Sequence, residues 1–82
     1  MNAEQIQALL SDYFTDSRVS VEGADGRFEL LVISDAFVGL SRIRRQQAVY
    51  AAIGDHIRTG AIHAVSIRAV TQDEWNAQAA RG

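Results

Sequence analysis

The feature that most restricts this chain is a change of hydrophobic period between residues 14 and 19. Ile6, Leu9, Leu10, Tyr13 and Phe14 recur at three- and four-residue steps, which stacks them on one face of a helix. Asn2 and Gln5 stand at the spacing of a weak capping box ahead of it. Val19 and Val21 then alternate with Ser20 and Glu22, as one face of a strand requires. Asp25-Gly26 is a strong two-residue turn signal, and the run Phe28 to Ile33 returns from it. Residues 18–33 therefore read as an antiparallel hairpin. Its return strand is apolar on both faces except at Glu29, which predicts a central strand buried on both sides.

The pattern beyond the hairpin continues the alternation of helices and strands. Ser34 to Leu40 read as a connector, and Ser41 is a suitable N-cap for a second helix. Ile43, Val49, Tyr50, Ile53 and Ile57 supply that helix's apolar face, Gly54 is expected to kink or split it, and Gly60 to stop it. Val65, Ile67 and Ala69 alternate within a third strand, and Thr71-Gln72-Asp73-Glu74 is a capping box opening a short final turn with Trp75. The predicted fold is α+β, in the order α-β-β-α-(α)-β-α, with a helical layer on one face of a three-stranded mixed sheet. One domain over residues 1–76 is expected, followed by a tail, 77–82, that frays.

Composition narrows the chemistry. The 82 residues contain no cysteine, so the chain has no disulfide framework, no thiolate nucleophile and no cysteine-based metal cage. A small secreted domain usually needs such staples, which favours the cytoplasm. No signal-peptide pattern opens the sequence, and no apolar run approaches the ~20 residues that span a membrane. The net charge of −2 argues against broad attraction to nucleic acid or anionic lipid. All eight basic residues are arginine, so a Schiff-base lysine is excluded.

Few residues carry candidate chemistry. His56 reads as an exposed residue at a helix end, whereas His63 precedes the third strand, where a neutral imidazole can offer one nitrogen to a metal. On spacing alone, a lone histidine at such a junction is more often structural. A triad assembled from Ser34 or Ser41 with His63 and an aspartate has no nucleophile elbow to hold it, and Asp73 and Glu74 are better explained by the capping box, so no enzyme is expected. Arg42, Arg44 and Arg45 form either a small anion- or partner-binding patch or a solvated helix face.

The run Ser34-Asp35-Ala36-Phe37-Val38-Gly39-Leu40-Ser41-Arg42-Ile43-Arg44-Arg45-Gln46-Gln47-Ala48-Val49-Tyr50 carries a resemblance when taken with Ile62-His63-Ala64-Val65-Ser66-Ile67-Arg68 and the stretch Thr71 to Trp75. In this order and length, the three resemble the BolA family, most closely its YrbA/IbaG-like branch, from Ile6 to Trp75. The resemblance implies a fold like that of class II KH domains and a role, linked to stress response, as partner of a monothiol glutaredoxin in iron–sulfur handling. In such heterodimers a [2Fe-2S] cluster is bridged by the glutaredoxin cysteine, a glutathione thiol and ligands from the BolA-like chain, so none is tightly bound by the chain alone. The family's histidine at the mouth of the third strand matches His63, which makes His63 the candidate [2Fe-2S] ligand. Histidine in place of thiolate would raise the cluster's potential. The family commonly places a second ligand, His or Cys, just before the aromatic that opens the second strand. Arg27 stands there, ahead of Phe28, and a protonated guanidinium does not ligate iron. A nucleic-acid-binding module is the alternative. Against it, Gly39-Leu40-Ser41-Arg42 replaces the Gly-x-x-Gly loop of KH domains.

Overall fold

The elements of the computed structural model, which describes residues 1–81, follow the periods read above. Helix α1 (Ala3–Tyr13) is opened by a complete capping box: the Asn2 side chain accepts from Gln5 N–H at 2.8 Å, and the Gln5 side chain accepts from Asn2 N–H at 2.9 Å. Ile6, Leu10 and Phe14 go into the core, but Tyr13, expected among them, is 54% exposed and lies edge-on to Phe14. Strands β1 (Arg18–Ala24) and β2 (Arg27–Ile33) form the antiparallel hairpin, with Ala24 opposite Arg27 across the Asp25-Gly26 turn. Positive φ at both turn residues, +56° and +80°, is the type I′ geometry that Asp-Gly favours.

After a single 3-10 turn, α2 runs unbroken from Arg42 to Arg58, with the Ser41 hydroxyl accepting from Arg44 N–H. Strand β3 (Ala64–Val70) pairs parallel to β2, giving the sheet order β1-β2-β3, and α3 (Gln72–Arg81) follows. Helices α1 and α2 cover one face, over Phe28, Leu30 and Val32 of the central strand.

The other face corrects the expectation for β2. This strand is central, yet Arg27 and Glu29 are exposed and Leu31 is only half-buried, so its two faces are not covered alike. Side chains reach three backbone carbonyls of the sheet's two edge strands. Gln7 donates to the Val19 carbonyl of β1, while Gln46 and Arg45 donate to the Ile67 and Ala69 carbonyls of β3. Such caps occupy backbone acceptors that an edge strand otherwise offers to another chain.

Three further expectations change in α2 and beyond. Gly54 does not split the helix, because a missing side chain leaves the backbone ladder intact. Val49 and Ile53 are buried, but Ile43 is 70% exposed and Tyr50 is also exposed, since both lie on the flank of the inward stripe. The final element is a ten-residue helix reaching Arg81, past residue 76, because Ala77, Gln78, Ala79 and Ala80 are good helix formers and Gln78 accepts from Arg68. Of the expected frayed tail, Gly82 lies outside the described residues. Among the described residues, no helix is long and apolar enough to cross a membrane.

A Cβ built on Gly54 meets nothing within 4 Å. Gly54→Ala should therefore raise stability by about 0.5–1 kcal/mol, the helix-interior cost of glycine. An unchanged or lower urea midpoint would show that Gly54 relieves something at that turn.

Candidate functional site

His63 lies where the loop after α2 meets β3, and the hairpin turn holds it there. The Gly26 carbonyl accepts from both His63 N–H, at 2.7 Å, and Ala64 N–H, at 3.0 Å. The turn thus fixes the start of β3 while the ladder itself begins with Arg27 opposite Ala64. Upstream, Ile62 N–H donates to the His56 carbonyl and the Ile62 side chain is buried, which ties the loop to α2 and the core. His63 itself is exposed, and its imidazole makes no hydrogen bond among the described residues.

The other candidates separate from it. Arg27 opens β2 in register with Ala64, one residue beyond His63, and is exposed. His56 is half-buried inside α2 rather than exposed, and it serves the fold through its carbonyl. Ser34 and Ser41 are both caps, accepting from Ala36 N–H and Arg44 N–H. The structure thus gives each serine a local role and does not bring them to His63.

The three arginines are not placed alike. Arg42 and Arg44 are exposed, but the Arg45 side chain is only 15% exposed. Its guanidinium donates to the carbonyls of Leu40 and Ala69, and Nη1 lies 2.6 Å from Glu74 Oε1. Glu74 closes the expected capping box by accepting from Thr71 N–H at 2.8 Å, while its own N–H donates to Thr71 Oγ1 at 3.2 Å. The Arg45 hydrogen bond, followed by that from Thr71, lowers the Glu74 pKa from the usual 4.5 to about 2. Sequence spacing reveals the cap but not the ion pair, whose partners are 29 positions apart.

A mixed three-stranded sheet under two helices, with an exposed histidine at a turn–strand junction, defines a small α+β module with one accessible imidazole at the sheet's end. The chain belongs to the BolA family: the family model described as BolA-like protein matches residues 11–74. It is 44% identical to an uncharacterized protein in the rpoN-murA intergenic region of Acinetobacter guillouiae, over 92% of this chain and 90% of that one. It is also 36% identical to the acid stress protein IbaG of Escherichia coli K12, over 92% of this chain and 89% of the relative. Among solved structures, a bolA protein homologue from Coxiella burnetii is 35% identical and superposes with a TM-score of 0.79, covering 93% of this chain and 97% of that one.

Proposed function

We propose that this protein is a cytoplasmic adaptor, not an enzyme, that pairs with a monothiol glutaredoxin and offers His63 to a glutathione-ligated [2Fe-2S] cluster. The observation that carries this reading is the exposed His63 at the family's histidine position, whose imidazole makes no hydrogen bond among the described residues. Neutral imidazole is a competent iron ligand, and replacing a thiolate with it raises a cluster's potential.

The donor set fits a shared cluster and does not fit a resident one. Among the described residues, no three His, Cys, Asp or Glu side chains converge on a common point. Arg27 adds no donor, so His63 is the chain's contribution and the sulfur ligands come from the glutaredoxin cysteine and glutathione. The kinship with an acid stress protein makes a stress-response role part of the proposal. Nucleic-acid binding is the weaker reading, because Arg45 is committed within the fold and leaves Arg42 and Arg44 as the exposed cations of that cluster.

Anaerobic mixing with a monothiol glutaredoxin, glutathione, iron and sulfide tests the proposal. A heterodimer absorption and circular dichroism spectrum distinct from that of the glutaredoxin homodimer is expected, and His63→Ala should change it. Pulsed EPR on the reduced cluster should lose its nitrogen coupling in the variant. Spectra identical between wild type and variant would remove His63 from the cluster.

A further inference from the structure

Gly26 is the second residue of a surface turn, flanked by exposed Asp25 and Arg27, and yet it is buried. The cover is His63. A Cβ built on Gly26 would lie 2.3 Å from His63 Cδ2, 3.1 Å from Cγ and 3.4 Å from Nε2, so the ring edge occupies the space a side chain would take. Gly39 and Gly60 have nearly the same φ, +80° and +84°, but a Cβ there meets nothing within 4 Å. Left-handed conformation accounts for glycine at those positions, and Gly26 has the ring against it in addition.

We propose that Gly26 is a positioning residue for His63, its bare Cα forming the seat that orients the imidazole toward the cluster partner. This rests on the reading of His63 as a cluster ligand. Histidine ligands are ordinarily oriented by a hydrogen bond to the second ring nitrogen. Here the backbone is held by the Gly26 carbonyl and the ring by contact with the same residue, which orients the ligand without a hydrogen bond to the ring among the described residues. The hairpin turn and the ligand are thereby one unit, although 37 positions separate them in the chain.

The test is Gly26→Ala in the full chain, with Gly39→Ala and Gly60→Ala placing a Cβ at a similar positive φ without the collision. Because an imidazole can swing outward, the variant should keep a folded amide spectrum while the His63 ring leaves its seat. NMR of the free protein should then show the His63 ring signals moving to the averaged values of a mobile histidine in G26A alone. In the anaerobic glutaredoxin mixture, G26A should shift the heterodimer spectrum in the same sense as H63A and weaken cluster retention by about tenfold or more. If G26A does not fold, Gly26→Asn carries the same Cβ on a residue that tolerates positive φ. His63 signals unchanged from wild type would overturn the seat. A wild-type heterodimer spectrum in G26A, where H63A alters it, would overturn the positioning role. If H63A leaves that spectrum unchanged, the cluster reading fails, while the ring signals of the free protein still decide whether the seat exists.

Discussion

Phe37→Ala should cost about 3–5 kcal/mol, the usual range for emptying a core aromatic site. A domain of this size has about 5–15 kcal/mol to lose, so the melting temperature should fall by about 15–30 °C. Phe37 is 0% exposed, lies on the 3-10 turn Asp35–Phe37 and meets Phe14 with ring centroids 5.4 Å apart. That contact joins the end of α1 to the link between β2 and α2, so no single element can close over the space left by the ring. Ser34 fixes the turn on both sides, donating its N–H to the Val70 carbonyl and accepting from Ala36 N–H. The backbone is thus held and cannot collapse inward. Phe37→Leu, which retains much of the volume, should cost markedly less. Equilibrium urea unfolding of both variants is the measurement, and a loss under about 1 kcal/mol for Phe37→Ala would mean that the site refills.

Phe37 also marks where sequence reasoning reaches its limit. Ser34 to Leu40 have no period, so they read as a connector, and nothing local indicates that one ring in that stretch completes the core. Elements with a local signal were legible. The Asn2 and Thr71 capping boxes, the Asp25-Gly26 turn and the Ser41 cap all act within about three residues of themselves, and the structure contains each of them. Apolar periodicity located the helices and strands but misjudged their flanks, at Tyr13, Ile43 and Tyr50, because it reports a face and not how widely a neighbour covers it. The covering of β2 was misjudged for the same reason. Residue type could not reveal that α1 and α2 shield one side while Glu29 stays exposed on the other.

The site divides along the same line. Resemblance singled out His63 among two histidines, and the structure leaves that residue exposed, its imidazole making no hydrogen bond among the described residues. The contact between its ring and Gly26 joins positions that only the parallel pairing of β2 with β3 brings together. In the arginine cluster, Arg42, Arg44 and Arg45 look equivalent in sequence, but helical rotation separates them. Arg45 is turned toward β3 and α3, while the other two are left on the surface.

Arg45→Ala should be the second-largest loss. It removes the donor from the Leu40 and Ala69 carbonyls, which at about 1 kcal/mol per hydrogen bond comes to about 2 kcal/mol before the ion pair is considered. The Glu74 contribution is read from its pH dependence. With its pKa lowered to about 2 in the fold, Glu74 is ionised in folded and unfolded chains alike above about pH 4.5, and its stabilising effect is complete there. As the pH falls below 4.5 the unfolded chain takes up the proton first, so the contribution declines and is gone once the pH passes below about 2. Because the Glu74 side chain is 45% exposed, added salt should weaken the effect. Arg45→Ala and Glu74→Gln should each flatten the fall in melting temperature between pH 4.5 and 2, and Glu74→Gln should do so while keeping a cap partner for Thr71. Melting curves from pH 7 to 2 measure this directly. An acid slope as steep in Arg45→Ala as in wild type would sink the assignment of Arg45 as the main cause, and with it the view that this arginine locks α3 onto the sheet rather than serving a ligand.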